Sequence, residues 1–236
     1  MKILIIIPAY NEEKNILKTV DAIRRYGKNS HEKLDFIVIN DKSTDGTETL
    51  LDKNKIPHIT LIKNLGIGGA VQTGYKYALD NNYDFAIQFD GDNQHDANSI
   101  NIILAPLKEG KADLVIGSRF VGKKNENNFR SSLARRIGIK IISAMIRFRT
   151  GKTILDTTSG FRGANKKVIF KFANDYPTEY PEPISTTDVI LNGGKVEEVP
   201  VLMRAREAGS SSIKSYKNIY YMINVILLIL TLRRKK

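Results

Sequence analysis

The chain of 236 residues is 42% apolar, which suits one α/β domain with or without an appendage and excludes a disordered protein. It contains no cysteine, so disulfide bonds and thiolate metal sites are excluded. Its net charge of +12 suits a protein that binds nucleic acid, anionic lipid or phosphorylated small molecules, and the distribution of the charge along the chain narrows this choice of partner.

Short apolar runs alternate with amphipathic stretches in the first half of the chain, which predicts strands separated by helices. Because the runs are almost unbroken, they indicate strands covered on both faces, as in a parallel sheet flanked by helices. The first helix is expected to be capped by Asn11, and the second by Thr44 or Asp45. The candidate strands are Ile3–Ile7, Phe36–Ile39, Ile59–Ile62, Phe85–Phe89 and Leu114–Ile116.

A polar cluster follows each of these predicted strands. In an open α/β sheet the carboxyl ends of the strands line a common crevice, in which ligands bind. Clusters that are far apart in the sequence are therefore predicted to converge on one site, without any assumption about family. The clusters are Pro8–Glu12, Asp41–Gly46, Asn64–Ala70, Asp90–Asp96 and Gly117–Phe120.

The cluster after the fourth strand places Asp90 and Asp92 one residue apart. Gly91 between them allows a tight turn in which both carboxylates approach one Mg²⁺ or Mn²⁺ ion, and Gln94 adds another oxygen ligand. An isolated Asp-x-Asp is also common in acidic turns that bind no metal. The position at a strand end, beside the other clusters, favours the metal site.

A glycine-rich loop containing Gly66 and Gly69 leads into the third predicted helix, so its backbone amides can face a phosphate. The loop lacks the lysine of a Walker motif and the spacing of a dinucleotide fingerprint. Tight helix packing is an equally open explanation for these glycines. In the neighbouring clusters, Asp41 can accept hydrogen bonds from a base or ribose, and Tyr10 offers a ring for stacking on a base.

Positive charge is concentrated between residues 119 and 152, where Glu126 is the only acid. The same stretch contains an apolar stripe at helical spacing, a combination typical of a helix that lies in a membrane interface; an ordinary packed helix is the alternative. This charge beside apolar segments favours a membrane surface over a nucleic-acid groove. The basic residues are Arg119, Lys123, Lys124, Arg130, Arg135, Arg136, Lys140, Arg147, Arg149 and Lys152, and the stripe is Leu133, Ile137, Ile141, Met145 and Phe148.

A second apolar segment, Ile219–Leu232, is interrupted only by Asn224 and Thr231 and has cations at both ends. It is short against the ~20 residues of a full membrane span. In-plane anchoring, docking to a small membrane-protein partner and a short or tilted span all remain open.

The order of these motifs resembles the family 2 glycosyltransferases, which share the GT-A nucleotide-sugar fold, and most of all the branch that contains dolichyl- and polyprenyl-phosphate sugar synthases. The resemblance extends from about residue 3 to residue 213. Besides the first four clusters, the matching segments are Gly117–Phe120, Asp156–Arg162, Tyr180–Pro183 and Val199–Val201, with Arg204, Gly209 and Ser211.

The resemblance implies a GT-A catalytic domain at residues 1–213, with a Rossmann-like, mostly parallel sheet flanked by helices and an amphipathic interface helix. Residues 214–236, beyond the resemblance, are expected from their basic and apolar composition to form a C-terminal helix that docks on a membrane or a partner. The resemblance further implies a metal-dependent inverting enzyme that moves a sugar from a nucleotide-sugar, with UDP favoured, to polyprenyl phosphate. Such an enzyme is expected to work peripherally at the cytoplasmic face of the cell membrane, without nucleic acid.

The resemblance also assigns residues to roles. Asn40 departs from the pattern, because many relatives have an aspartate there, which weakens any assignment of the donor nucleotide. The implied donor contacts are Pro8, Ala9, Tyr10, Asn11, Glu12, Asp41, Gly66, Gly69, Asp90 and Gly91. The implied metal ligands are Asp90, Asp92 and Gln94, the catalytic residues Asp92, Arg119 and Arg204, and the acceptor contacts Arg130, Ser159, Arg162 and Glu182.

Two other functions are compatible with the same motifs. A glycosyltransferase that acts on a hydroxyl of a cell-surface polysaccharide or glycolipid needs a general base, for which Glu182 or Asp188 is available. A phosphate monoester has its second pKa near ~6 and needs no base. Relatives that build polysaccharides typically carry a Glu-Asp pair in this region, and its absence favours the phosphate acceptor. The third reading is a non-catalytic subunit that binds nucleotide-sugar or lipid.

Overall fold

The computed structural model describes residues 1–30, 32–122, 133–203 and 215–234. The strands are β1 (Lys2–Ala9), β2 (Lys33–Asn40), β3 (His58–Thr60), β4 (Phe85–Gln88), β5 (Leu114–Ser118), β6 (Arg162–Asn165) and β7 (Val196–Pro200). The helices are α1 (Ile16–Asn29), α2 (Thr47–Lys53), α3 (Gly66–Asp80), α4 (Ile100–Lys108), α5 (Leu133–Thr150), α6 (Lys166–Asn174), α7 (Pro181–Leu191) and α8 (Ser215–Thr231), and a short 3₁₀ helix, Ala97–Ser99, precedes α4.

The strands form one sheet in the order β3-β2-β1-β4-β6-β5-β7. Only β6 is antiparallel to its neighbours β4 and β5, and the other pairs are parallel. The predicted mostly parallel α/β sheet is therefore confirmed. β6 and β7 were not predicted, because β6 reads Arg-Gly-Ala-Asn and β7 contains two glutamates, so neither forms an apolar run.

Side chains that alternate along β1 build separate cores on the two faces of the sheet. Leu4 and Ile6 pack in one core with residues of α3, α5, α6, α7 and α8. Ile3, Ile5 and Ile7 pack in the other with residues of α1, α2 and α4. All five are 0% exposed, which explains the unbroken apolar run, since both faces of a central strand must bury their side chains.

The first two helices start later than their expected caps. Asn11 adopts a left-handed conformation with φ 57°, so its predicted role as the cap of α1 is wrong. Its side-chain oxygen instead accepts the amide of Thr44 at 2.8 Å, which joins the loops after β1 and β2. Of the two candidate caps of α2, Asp45 accepts the amide of Thr47 at 2.9 Å, the first residue of the helix.

Helices α5 and α8 each have a buried and an exposed apolar side. On α5, Ile142 and Ile146 are buried, whereas the α5 strip, defined as Ile137, Ile141 and Phe148, is 50%, 44% and 78% exposed. On α8, Val225 and Ile229 belong to the same core as β1, whereas the α8 strip, defined as Ile223, Leu227 and Leu230, is exposed. The described helices include none with the length and hydropathy needed to cross a membrane.

Gly74 shows how closely α3 lies on the sheet. A Cβ added to Gly74 would stand 2.2 Å from Cγ2 of Ile6, whereas one added to Gly27 of α1 would meet nothing nearer than 4.0 Å. We expect Gly74→Ala to lower the free energy of unfolding by about 1–3 kcal/mol, as overpacking does. Gly27→Ala, the matched control, should raise it by ~0.5–1 kcal/mol because alanine favours helix. Urea unfolding measures both, and equal effects would contradict this packing.

Candidate active site

The carboxyl edge of the sheet brings the predicted clusters together. Residues Pro8 and Ala9 at the end of β1 pair with Ile39 and Asn40 of β2, so the loops that follow are neighbours. β4 lies on the other side of β1 and ends at Gln88. Because β6 is antiparallel, its first residue, Arg162, stands opposite Gln88 at this same edge. The predicted convergence of these segments is confirmed.

Hydrogen bonds fasten the loop after β1 to the loop after β2. The amide of Asn11 donates to the Ser43 hydroxyl at 3.0 Å, and the amide of Glu12 donates to the Thr47 hydroxyl at 2.9 Å. Tyr10, in contrast, is 48% exposed. The loop is thus tied to its neighbour through two backbone amides and presents an exposed aromatic side chain, which suits stacking on a base.

Asp41 connects the end of β2 to the glycine-rich loop. It is 3% exposed, and its Oδ1 accepts the amide of Leu65 at 2.7 Å. Burial raises the pKa of Asp41, although the amides of Leu65 and Gly66 lower it in part. The neighbouring Asn40 is fully buried and donates to the Thr60 hydroxyl at 3.1 Å, so the residue that departs from the family pattern has a structural partner.

The glycines of the loop serve two structural purposes, a left-handed backbone conformation at one position and a close approach of another segment at the next. Gly66, the first residue of α3, has φ +75°, which favours glycine. A Cβ on Gly68 would stand 2.3 Å from the carbonyl oxygen of Pro177, so Gly68 allows the loop before α7 to touch α3. Helix packing therefore accounts for Gly68, while the phosphate contacts predicted for Gly66 and Gly69 stay a prediction.

The turn that contains Asp90, Gly91 and Asp92 is held from several sides. His95 Nε2 lies 3.0 Å from Asp90 Oδ2, and the Gln94 amide donates to Asp92 Oδ1 at 3.1 Å. The buried Thr19 hydroxyl of α1 donates to the carbonyl of Gly91 at 2.9 Å. These bonds fix both carboxylates close to the end of β4.

The Asp90 carboxylate is kept ionised. Burial alone would raise the pKa of Asp90, but the hydrogen bond and charge of His95, with smaller contributions from Gln88 and Arg119, bring it below its usual value. The carboxylates of Asp90 and Asp92, with the side-chain amide oxygen of Gln94, are hard oxygen donors of the kind that Mg²⁺ or Mn²⁺ prefers. Within the described residues no three acidic, histidine or cysteine side chains form a complete metal cluster, so a bound ion would need ligand or water oxygens as well.

Two residues that support Asp90 had no role in the sequence prediction. His95 is 3% exposed, and its ring lies 5.4 Å from that of Phe89 and 4.9 Å from that of Phe161. A Cβ on Gly160 would stand 2.6 Å from Asp90 Oδ2, so only glycine permits this approach. The histidine lies inside the motif that carries the resemblance and could have been singled out there. Gly160 also lies inside a matching segment, Asp156–Arg162, but that segment is distant in sequence and does not indicate contact with Asp90.

Arg119 is bound to a buried carboxylate. Its Nε and Nη2 donate to Asp156 at 2.7 and 2.6 Å, and Nη2 also donates to the Thr158 hydroxyl at 2.9 Å. Asp156 is 0% exposed, and its own amide donates to Glu198 of β7 at 2.8 Å. The structure therefore places Arg119 at the end of β5 in a fixed orientation, with its charge balanced. Asp156 and Glu198 are supporting residues to which the sequence assigned no role.

The residues predicted to contact the acceptor are mainly bonded to other groups of the protein. The Ser159 hydroxyl donates to the carbonyl of Gly117 at 2.6 Å, and Arg162 is 1% exposed. Burial raises the pKa of Glu182, the Arg162 charge opposes this, and the Asp90 charge adds to it. Arg130 and Arg204 lie outside the described residues, and their roles stay predictions.

Asp188, the other candidate base, points to α6. It pairs with Lys171 at 2.6 Å and accepts a hydrogen bond from the Asn192 side chain at 2.8 Å. Its charge is thus balanced by a residue of α6. Of the two candidate bases, Glu182 is the one whose pKa the Asp90 charge raises.

Comparison with known proteins gives a consistent set of relatives. The model of the family described as Glycosyl transferase family 2 matches residues 4–172. The polyprenol monophosphomannose synthase of Mycolicibacterium smegmatis is 29% identical, over 89% of this chain and 80% of its own length. The UDP-N-acetylglucosamine–dolichyl-phosphate N-acetylglucosaminyltransferase of Methanococcus voltae is 28% identical, over 84% of each chain.

Two solved structures share the fold. Glucosyl-3-phosphoglycerate synthase from Mycobacterium tuberculosis, in complex with Mn²⁺, UDP-glucose and phosphoglyceric acid, superposes with a TM-score of 0.72 at 20% identity, covering 98% of this chain and 79% of that one. S. aureus TarS in complex with UDP-GlcNAc gives a TM-score of 0.64 at 17% identity, covering 100% and 68%. At these identities the likeness concerns the fold.

The ion pair between Arg119 and Asp156 leads to a prediction about the free energy of unfolding. Asp156→Asn leaves a buried guanidinium without its counter-charge, and we expect it to lower the free energy of unfolding by about 3–5 kcal/mol. The double variant Asp156→Asn/Arg119→Met removes both charges and should cost less than the sum of the two single variants. Urea unfolding of the three variants measures the coupling; additive costs would mean that the pair does not interact as described.

Proposed function

Since the chain belongs to glycosyl transferase family 2, we propose that it transfers a sugar from a nucleotide-sugar to polyprenyl phosphate, with inversion at the sugar carbon. The chain is a glycosyltransferase with the GT-A fold, as its family and its structural neighbours establish. The relatives named as polyprenol- and dolichyl-phosphate sugar transferases support a prenyl phosphate as the acceptor.

The observation that carries the proposal is the Asp90-Gly91-Asp92 turn at the carboxyl edge of the sheet, in which the pKa of Asp90 is held low. It follows β4, whose neighbour β1 leads into the loop that presents the Tyr10 ring. A nucleotide-sugar has a base at one end and a diphosphate near the sugar. The exposed aromatic ring and the fixed carboxylates offer contacts for these two parts.

On this proposal each part of the donor has its own residues. Tyr10 stacks on the base, Asp41 accepts hydrogen bonds from base or ribose, and the amides at the start of α3 face the phosphates. Asp90, Asp92 and Gln94 would hold Mg²⁺ or Mn²⁺, which as a Lewis acid stabilises a diphosphate leaving group. The UDP-sugars bound by both structural neighbours support UDP as the nucleotide.

The acceptor is proposed to be a phosphate because it brings its own negative charge. A phosphate monoester is largely a dianion near neutral pH, with its second pKa near ~6, so no general base is required. A positively charged group that orients it is more useful, and Arg119 is held rigidly by Asp156 at the site edge. For a hydroxyl acceptor, which is the second candidate, Glu182 is the group placed to act as base.

A prenyl-phosphate acceptor resides in a membrane, and the exposed strips of α5 and α8 suit contact with one. The two helices run in the same direction: Gly138 lies beside Met222, and farther along both helices Arg149 donates to the carbonyl of Leu232 at 2.6 Å. Arg136, Lys140 and Arg147 are exposed beside the α5 strip. Cations that flank apolar side chains fit an anionic lipid surface.

Helical geometry places the two strips on one side of the molecule. At about 100° per residue, the α5 strip lies away from the buried Ile142 and Ile146, and the contact with α8 through Gly138 lies between them. On α8 the contact at Met222 likewise lies between the exposed α8 strip and the buried Val225 and Ile229, but the three follow one another in the opposite direction around the helix axis. Because the helices are parallel neighbours, opposite orders around their axes put both exposed strips on the same side of the pair. We propose that this face lies on the cytoplasmic surface of the membrane as a peripheral contact.

The activity is tested by replacing Asp92. With polyprenyl phosphate, a panel of radiolabelled nucleotide-sugars and Mg²⁺ or Mn²⁺, we expect the wild-type chain to form an acid-labile labelled lipid. Asp92→Asn should reduce its rate by at least about 100-fold, because the leaving group loses electrostatic stabilisation. Asp21→Asn, on the exposed side of α1, removes the same charge elsewhere and should leave the rate unchanged.

The same assay separates the alternatives. Label found only in polysaccharide or protein would exclude the phosphate acceptor. Loss of transfer to a glycan in Glu182→Gln, by a factor of about 100 or more, would support a hydroxyl acceptor instead. A cellular role that persists in Asp92→Asn would support the non-catalytic subunit.

Membrane contact is tested by matched charge insertions. Ile141 in the α5 strip is 44% exposed, and Ile102 on α4 is 39% exposed on the other face of the sheet. Ile141→Glu should weaken binding to phosphatidylglycerol vesicles on the order of tenfold, since an apolar contact is lost and a like charge is added. Ile102→Glu should leave binding unchanged. Vesicle co-sedimentation measures both, and equal losses would refute this face as the contact.

A further inference from the structure

Arg162, the first residue of β6, is enclosed by the protein at a place where the resemblance implies an acceptor contact. Its side chain is 1% exposed and is bonded to two different segments of the chain. Nε donates to the carbonyl of Ser159 at 2.6 Å, and Nη1 donates to the carbonyl of Glu182 at 2.9 Å. One side chain thus joins the turn before β6 to the first turn of α7.

The contact with α7 involves several oxygen atoms. Besides the Glu182 carbonyl, Nη1 donates to the hydroxyls of Ser185 and Thr186, at 3.2 and 3.0 Å. Both hydroxyls in turn donate to the Glu182 carbonyl, at 3.3 and 2.8 Å. The helix begins after Tyr180, whose φ of 51° is uncommon for a residue with a Cβ. Arg162 therefore fastens the first turn of α7 next to a strained position of the backbone.

The contact with Ser159 lies next to Asp90. Gly160 follows Ser159, and a Cβ added to Gly160 would stand 2.6 Å from Asp90 Oδ2. The Ser159 hydroxyl donates to the carbonyl of Gly117 at 2.6 Å, so Ser159 is held through its side chain as well as through its carbonyl. The segment that Arg162 holds is therefore a wall against the Asp90 carboxyl, and its position limits where that carboxyl can lie.

The shape of the arginine side chain suits a link between two segments. Its donors form a planar fork of fixed geometry, so bonds from Nε and Nη1 together fix the direction of the whole group. A lysine has a single nitrogen at the end of a flexible stem, and it would not hold the two carbonyls at a fixed separation. The partners of Nε and Nη1 are neutral oxygens, which orient the guanidinium.

We propose that Arg162 is a positioning residue, which holds the segment beside Asp90 and the first turn of α7 in one arrangement and does not contact the acceptor phosphate. The inference rests on the proposed function, since Asp90 is the carboxylate proposed to bind Mg²⁺ or Mn²⁺. Loss of a group that supports a metal ligand from behind typically costs about 10–100-fold in metal affinity or activity. Because Arg162 acts on Asp90 through Gly160, we expect an effect at the lower end of this range.

Arg162→Lys tests the proposal with the charge retained. Mn²⁺ binding, measured by electron paramagnetic resonance with whichever of UDP, GDP or dTDP the wild-type chain binds most tightly, should weaken about tenfold. The kcat for transfer to polyprenyl phosphate should fall about tenfold or more, because the reacting groups lose their alignment. The KM for polyprenyl phosphate should stay unchanged. Gly160→Ala, which crowds Asp90 directly, should give the same pattern.

Asn165→Ala is the matched control at the other end of β6, where Asn165 stands opposite Phe85 at the start of β4. The Asn165 side chain accepts the amide of Val168 as the cap of α6 and donates to Asp113. Its loss should lower Tm by several degrees, as we also expect of Arg162→Lys. Mn²⁺ affinity and kcat should nevertheless stay at their wild-type values in Asn165→Ala, because the change is at the opposite edge of the sheet.

Three results would overturn the proposal. If Arg162→Lys raises the KM for polyprenyl phosphate and leaves Mn²⁺ affinity unchanged, Arg162 contacts the acceptor. If Tm falls while Mn²⁺ affinity and kcat are unchanged, its role is structural alone. Equal losses of Mn²⁺ affinity in Arg162→Lys and Asn165→Ala would reflect general destabilisation. A wild-type chain that binds Mn²⁺ but transfers no sugar to polyprenyl phosphate would contradict the proposed function only, and the Mn²⁺ comparison would still decide the role of Arg162.

Discussion

The pKa of the Asp90 carboxyl is held below its usual value although the group is partly enclosed by protein, and neighbouring residues at the carboxyl edge of the sheet provide this support. His95 supplies a hydrogen bond at 3.0 Å, and Gly160 leaves the space that a side chain would fill. Burial by itself would have favoured the neutral acid. A carboxylate that is ionised before any ligand arrives can meet a cation without first losing a proton, which is what a metal-assisted site needs.

The two buried arginines near this edge of the sheet, Arg119 and Arg162, have different kinds of hydrogen-bond partner. Arg119 has a fully buried carboxylate partner, Asp156, which in turn is fastened to β7 through Glu198. Arg162, in contrast, is surrounded by carbonyls and hydroxyls. The first arrangement fixes a guanidinium at the end of β5 in one orientation. The second leaves the Arg162 charge to act on the Glu182 carboxyl, where it opposes the rise in the pKa of that group. The negative charge of Asp90 and the positive charge of Arg162 thus act on the same carboxyl in opposite directions.

Sequence patterns predicted the features that rest on local chemistry. The buried strands of β1 and β4 follow from unbroken apolar runs, and the Asp90 turn follows from its place after such a run. β6 was missed because its four residues carry no apolar pattern and pair only through contacts distant in sequence. Asn11 was misread as a helix cap because its partner, Thr44, is supplied by another loop. The support that Gly160 gives Asp90 is likewise invisible without the fold, since about seventy residues separate them.

The helix at residues 133–150 shows why periodicity alone left two readings open. The stripe predicted from the sequence and the face that is buried in the structure both consist of apolar side chains. The sequence therefore does not tell which of them the protein core covers. Ile146 is fully buried, whereas Phe148, two residues later, is 78% exposed. α5 is therefore a packed helix on one side and a candidate interface on the other. Arg149, counted in the sequence among the interfacial cations, instead donates to the carbonyls that end α8. Its side chain joins the C-terminal ends of the two helices. A partner that covers the proposed contact face would therefore meet both strips on one pair of packed helices.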